Sequence, residues 1–369
     1  MSIANGGTGA DMYVPQEEGI TVMSTEACVK TLITALLAVA TLLGGTTASA
    51  QDEREYAGVR LHLDNDLFAG GERDRDYTGG LAVAVSGAAA REGFLSLDPV
   101  LARLDALTSN ESARVYSARQ FGLITFTPKD IEAHEPQFDD RPYASLLFAA
   151  NGRLRVDADE RRAWSSSLTI GVLGLSLSEH LQSAIHDVVG SEKPRGYKHQ
   201  ISAGGEPTAR YSLARHMLWY GSASGMVDVK ATVQGSLGYL TEASAALSLR
   251  IGRLDSPWWS FAPELADYIA APVPIAAVPR RAEHYVFTGI RLKARAYNAF
   301  LQGQFRNSTV RFSASELEPL LLEAWVGFVV QLLEHTQLSY SLNYQTSEVR
   351  EGIANRDVWW GAVQLTHTF

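Results

Sequence analysis

The sequence predicts an all-β fold: a transmembrane antiparallel β-barrel of about 12 strands, with a short extracellular loop helix near residues 178–190. Three observations carry that reading. Apolar and polar residues alternate at period two through most of the chain after residue 50. In the segment with Val286, Thr288, Ile290, Leu292 and Ala294, the interleaved residues include Arg291, Lys293 and Arg295. Cations alternating with aliphatics do not suit the core of a soluble sandwich, but they suit a wall with lipid outside and a polar inside. Finally, Trp359, Gly361, Val363, Leu365 and Phe369 share one phase, and the last residue is aromatic.

The N-terminal region is expected to stand apart from the barrel. Residues 1–50 read as an extension plus a cleaved signal peptide: Lys30, an apolar stretch from Thr31 to Leu43, then Ala48-Ser49-Ala50, with cleavage after Ala50. Met23 reads as a better start than Met1, because residues 1–22 lack signal character and carry Asp11, Glu17 and Glu18. The single cysteine, Cys28, lies in this leader, so residues 51–369 are expected to fold without disulfides. Removing one lysine and four acids with the leader moves the net charge from −9 to −6, and nothing indicates a nucleic-acid partner. No run of about 18 apolar residues follows residue 50, which excludes a transmembrane helix. With the final amphipathic strand ending in Phe, the expected location is the bacterial outer membrane, as a monomer.

Strand patterns fall at roughly 57–66, 78–87, 113–124, 143–154, 163–176, 197–211, 215–236, 239–252, 284–296, 298–306, 319–333, 335–349 and 357–369. Reading 284–306 as one bent strand gives the even number expected of a bacterial single-chain barrel. Trp219, Tyr220, Trp258, Trp259, Trp359 and Trp360 are candidates for interfacial girdles. The connections at about 88–112 and 253–283 are long for periplasmic turns, so they read either as structured plugs or as a local miscount.

One segment breaks the β pattern. Ser178 to Gly190 reads as a helix, with Ser178 as N-cap and Gly190 as stop. Leu181, Ala184, Ile185 and Val188 share one face; Glu179, Gln182, Ser183 and His186 share the other, with Gln182 and His186 one turn apart. A second polar cluster spans Asp64-Asn65-Asp66 and Asp74-Arg75-Asp76-Tyr77-Thr78-Gly79-Gly80. Its hard oxygen donors suit a cation such as Ca²⁺, or simply a polar hairpin loop. Strand parity puts both clusters on the extracellular rim, together with a third holding Lys129-Asp130 and Asp139-Asp140-Arg141-Pro142-Tyr143. A histidine beside a carboxylate-held cation is a hydrolytic arrangement, in which imidazole takes a proton from water and the cation stabilises the oxyanion. No Gly-x-Ser-x-Gly occurs; Gly221-Ser222-Ala223-Ser224-Gly225 has Ala at the nucleophile position, and no His/Cys set has zinc spacing.

Asn65-Asp66, Asp76-Tyr77-Thr78-Gly79-Gly80, Asp140-Arg141-Pro142-Tyr143-Ala144 and Gln182-x₃-His186, in that order, resemble the outer-membrane lipid A 3′-O-deacylase family. The resemblance runs from about residue 57 to 211 and more loosely to Phe369. It implies a twelve-stranded barrel, calcium dependence and hydrolysis of the 3′-acyloxyacyl ester of lipid A, the lipopolysaccharide anchor of the outer leaflet. Carried over, His186 is the base activating water; Asp66, helped by Asn65, holds the cation; Thr78 and Gln182 line and orient the site. The family also has an active-site lysine, for which Lys129 is the nearest candidate. Ser145 stands where the family pattern has Gly, a departure that bears on packing. Two readings from other classes stand beside it: a non-catalytic pore or structural barrel, and an outer-membrane phospholipase with a serine nucleophile.

Overall fold

A computed structural model describes residues 58–70, 75–92, 95–107, 114–189, 192–276, 279 and 281–369, with side chains omitted over 184–189. The predicted signal peptide and its cleavage point lie outside the described residues. Twelve strands follow one another: β1 Gly58–Asn65, β2 Asp76–Ser86, β3 Arg114–Thr127, β4 Ala144–Val156, β5 Arg162–Leu173, β6 Glu206–Gly221, β7 Val227–Gly238, β8 Leu240–Arg253, β9 His284–Asn298, β10 Leu320–Leu333, β11 Thr336–Gln345 and β12 Val358–Thr368. Each pairs antiparallel with the next, and β1 meets β12 from Gly58↔Thr368 to Asn65↔Gly361, closing the ring. Closure satisfies every strand edge, which a lipid environment demands.

Side chains sort by parity as the alternation predicts. On β9, Val286, Ile290 and Leu292 are each more than half exposed on the outside, while Arg291, Lys293 and Arg295 are buried in the lumen. Among the described residues no helix is long and apolar enough to cross a membrane.

Several expected boundaries shift. The pattern at 197–211 and 215–236 resolves into β6 and β7, joined by a turn over 222–226 in which the Ser222 hydroxyl accepts from Met226 N and Val227 N at 2.9 Å. Period-two alternation runs unbroken through Ser212 and Leu213, so it held no stop signal there; the stop is the Ser-Ala-Ser-Gly run itself. Residues 298–306 are not a strand: Asn298 ends β9, and its side chain accepts from Phe300 N to start a short helix, Ala299–Gln302. That fixes the count at twelve. Of the six aromatics proposed as girdles, only Trp219, Tyr220 and Trp359 face outward; Trp258, Trp259 and Trp360 are buried.

Both long connections at the end bearing the chain termini are structured. Between β2 and β3 lie helices α1, Ala88–Arg91, and α2, Asp98–Ala106. Asn151 ties them to β4, accepting from Leu97 N (2.8 Å) and donating to the Ala90 carbonyl (2.9 Å). Residues 254–283, between β8 and β9, turn back into the lumen as a plug. Trp258 and Trp259 seat it low against Leu154, Val156 and Ala163. Further up, Glu264 meets Lys230 (2.9 Å), Thr232 (2.8 Å) and Ser248 (3.0 Å). Asp267 meets Arg291 (2.8 Å) and Lys293 (3.4 Å), which also share Glu323. The apex is Tyr268, and the chain then descends: Ala270 O accepts from Gln120 (3.0 Å) and Ile275 N donates to Ser86 Oγ (2.9 Å) near the base of β2. The plug carries the aromatic pair expected of a girdle because those rings cover a hollow interior rather than meet lipid.

Opposite the termini, the loop between β5 and β6 carries helix α3, Leu177–Val189. The helix begins one residue earlier than expected, so Ser178 falls inside its first turn rather than capping it; Gly190 lies outside the described residues. Over residues 177–183 its burial is inverted relative to a helix packing its apolar side inward. Leu177 and Leu181 are exposed, whereas Ser178 and Gln182 are buried. At a membrane surface the apolar stripe can face lipid, which frees the polar stripe to line a site.

Candidate active site at the extracellular rim

The site begins where β1 ends. Asn65 caps a single 3-10 turn, Asp66–Ala69: its Oδ1 accepts from Leu67 N (2.7 Å), and its Nδ2 donates to the Thr78 carbonyl across the hairpin (2.8 Å). Both ends of the amide are therefore engaged in bracing the loop. The brace turns Asp66 inward, where it is buried and its Oδ2 accepts from Arg75 N (2.7 Å). Residues 71–74, including Asp74 of the predicted cation loop, lie outside the described residues.

A β-bulge between Tyr77 and Gly79 then breaks the strict alternation of β2. It lets Tyr77 and Thr78 both turn inward, and both are buried. Tyr77 donates to Asp64 Oδ2 (2.9 Å), and the Thr78 hydroxyl meets that of Thr127 at 2.7 Å. Gly80 is needed here: a Cβ would lie 2.5 Å from the Tyr77 hydroxyl and 3.1 Å from Ile269 of the plug. The second glycine of the Thr-Gly-Gly motif is thus a steric requirement of the inward tyrosine.

The three predicted clusters do converge. Asp76, at the start of β2 with φ of 62°, receives Arg356 Nε (2.7 Å) and lies 3.7 Å from Arg141 Nε. Arg356 also reaches Asp140 (2.7 Å), whose other oxygen accepts from Lys129 N (2.8 Å). Lys129 itself is exposed on the rim. From the same loop, Tyr143 packs on Tyr197 with ring centroids 4.5 Å apart, and Tyr197 donates to Gln182 Oε1 on α3 (2.8 Å). Burial pushes the Tyr143 phenol well above its usual range, and its hydroxyl donates to the Ile131 carbonyl (2.9 Å). His186 follows Gln182 by one helical turn; its side chain lies outside the described residues.

Electrostatics hold this assembly together. Glu348, in the β11–β12 loop, accepts from Arg141, Arg295, Asn298 and Tyr268. Burial alone would raise its carboxyl, but Arg141 and Arg295 hold it at about 2. Arg141 also lies over Phe126, 5.1 Å from the ring centroid.

The structure brings Asn65, Asp66, Thr78 and Gln182 to one rim, together with Tyr197, Glu348 and Arg356, which the sequence did not single out. Thr127, the bonding partner of Thr78, opens the Thr127-Pro128-Lys129-Asp130 run that the sequence assigned to the same rim. Arg356 sits 280 positions from its partner Asp76, and no local pattern links them.

As for the metal, among the described residues no group of three or more His, Cys, Asp or Glu forms a metal cluster. Among the described residues, the donors at this rim include the Asp66 carboxylate and the Thr78 and Thr127 hydroxyls, hard oxygens of the class that suits Ca²⁺.

The fold and this geometry can be set against known proteins. A search of curated proteins by sequence finds no match. Among solved structures, the chain resembles LpxR from Salmonella typhimurium at a TM-score of 0.65 and 16% identity, covering 85% of this chain and 100% of that one. The β domain of the Bordetella autotransporter BrkA also matches, at 0.40 and 11%, over 86% of this chain and 100% of that one. The family model described as outer membrane protein LpxR matches residues 32–369, nearly the whole chain. With the closed twelve-stranded wall, this establishes that the chain belongs to the LpxR family of outer membrane proteins.

Proposed function

We propose that this chain is a calcium-dependent outer-membrane esterase that removes the 3′-acyloxyacyl chain of lipid A. The observation that supports it best is the convergence at one rim of the Asn65–Asp66 turn, the Thr78 bulge, the Lys129–Asp140 loop and the inward face of α3. A rim site beside a helix that presents leucines outward suits a substrate held in the outer leaflet.

In this reading a ring nitrogen of His186 takes a proton from water as the water oxygen attacks the ester carbonyl carbon. The C–O bond to the sugar then breaks, and the proton passes to the leaving hydroxyl, releasing the fatty acid. Gln182, held by Tyr197, orients the polar face of α3. Asp66 and Thr78 would hold a calcium ion, with Asn65 fixing the turn that presents Asp66. When bound, the ion stabilises the charge developing on the carbonyl oxygen. Lys129 is exposed beside this cluster and is the candidate cation for anionic groups of the substrate.

Mass spectrometry of lipid A from cells expressing the protein tests the proposal. We expect loss of the mass of the 3′-acyloxyacyl group, abolished by His186→Ala, by Asp66→Ala and by calcium chelation, with the barrel still heat-modifiable on electrophoresis. Unchanged lipid A in cells holding the folded, inserted protein would overturn it.

A further inference from the structure

We propose that Tyr268, at the apex of the plug, is a positioning residue for the rim site: a segment entering from the periplasmic end sets the geometry of an extracellular active site. Three observations on the page carry this.

The first is the backbone. Tyr268 has φ of 66°, a left-handed conformation that a bulky side chain rarely adopts. Such a conformation persists where surrounding contacts over-determine it. Asp267 N donates to the Ile269 carbonyl (3.2 Å), so the apex is tightened from both sides.

The second is packing. The Tyr268 ring lies 5.4 Å from Tyr77, 4.8 Å from Phe126 and 6.3 Å from Trp360, measured between centroids. Tyr77 and Phe126 each directly precede a site hydroxyl, those of Thr78 and Thr127. The ring is therefore a wedge under the two strand ends that carry the paired threonines.

The third is the hydroxyl. Tyr268 donates to Glu348 Oε1 (2.5 Å) and accepts from Arg295 (3.2 Å). Glu348 in turn holds Arg141, which faces Asp76, one residue beyond the Arg75 N–H that binds Asp66. Removing the hydroxyl leaves Glu348 with one donor fewer and frees Arg141 to shift. Tyr268 touches none of the proposed reacting groups, so its influence passes through Tyr77, Phe126 and Arg141.

The test uses full-length protein in detergent micelles with lipid A as substrate, and two readouts. Tyr268→Phe keeps the wedge and loses the hydroxyl; Tyr268→Ala loses both. Ser260→Ala, lower in the same plug, removes a hydroxyl that donates to Pro257 O (2.7 Å) and serves as control. Hydrogen exchange should show the amides of Arg75–Thr78 exchanging roughly tenfold faster in Tyr268→Ala than in wild type, and less so in Tyr268→Phe, with mid-barrel amides unchanged. In parallel kcat should fall roughly tenfold in Tyr268→Phe and further in Tyr268→Ala, with KM within about twofold. Ser260→Ala should match wild type in both. The activity readout rests on the deacylase reading, but the exchange readout does not. Inactive wild type with altered exchange would sink the function and leave the positioning standing. Unaltered exchange at 75–78, or altered exchange with kcat unchanged in active protein, would overturn the inference.

Discussion

The lumen and the extracellular rim use the same residue types under different rules. In the lumen, acid meets base side chain to side chain: Arg291 and Lys293 bracket Asp267 and Glu323, and Lys230 neutralises Glu264. At the rim, backbone N–H groups also orient carboxylates, from Arg75 to Asp66 and from Lys129 and Arg141 to Asp140, beside the pairing of Arg356 with Asp76 and Asp140. A side-chain cation cancels a carboxylate and covers it, whereas an amide fixes its direction and leaves its charge. The rim thus adds backbone orientation of its carboxylates to the side-chain pairing that the lumen uses.

This contrast can be broken from either side. The largest effect is expected for Arg291→Ala, which leaves Lys293 as the cation shared by Asp267 and Glu323, with Arg210 still on Asp267. Uncompensated buried charge typically costs about 3–5 kcal/mol, so the unfolding midpoint in detergent should drop sharply. An unchanged midpoint would mean that water reaches this network. At the rim, Gly361→Ala should act in the opposite way. A Cβ there lies 2.5 Å from Phe68 Cβ and 2.7 Å from its backbone, so the Asp66–Ala69 turn must move. Overpacking of this kind costs about 1–3 kcal/mol, and deacylation should fall while the barrel stays closed. Retained activity would show that the turn tolerates displacement.

The smallest effect concerns pH. Glu348 is depressed in the folded state to about 2 from an ordinary value near 4.5. Its contribution to stability is therefore complete above about pH 4.5 and is lost as pH falls through about 2. Stability should stay flat with respect to this group across neutral pH, and acid unfolding should set in only well below 4. A midpoint that already declines between pH 7 and 5 would point to another group.

Much of the wall was legible in the chain, because a lipid-facing strand must alternate and nothing else tolerates Arg291, Lys293 and Arg295 between aliphatics. Boundaries were misplaced where a break was set inside a continuous strand, as at Ser212 in β6, or where an asparagine cap ended a strand, as at Asn298. The plug was half visible as an over-long connection. Its content was not, since Trp258 and Trp259 look the same whether they meet lipid or a lumen. Short-range parts of the site, such as Asn65–Asp66 and the Thr78 bulge with its two glycines, could be read directly. The arginine pairs that join them to distant loops could not, because closure of the barrel alone brings those loops together.

The plug has a consequence for how the molecule is assembled. Both of its ends are tethered at the periplasmic mouth, so it can be seated axially after the wall has formed. Until then the wall must stand hollow. The register between β9 and β10 already places Glu323 beside Arg291 and Lys293, so the wall by itself offsets one of the two cations and Asp267 of the plug offsets the other. A barrel arranged in this way can finish its outside first and its inside last, with the arrival of the apex as the step that completes the rim.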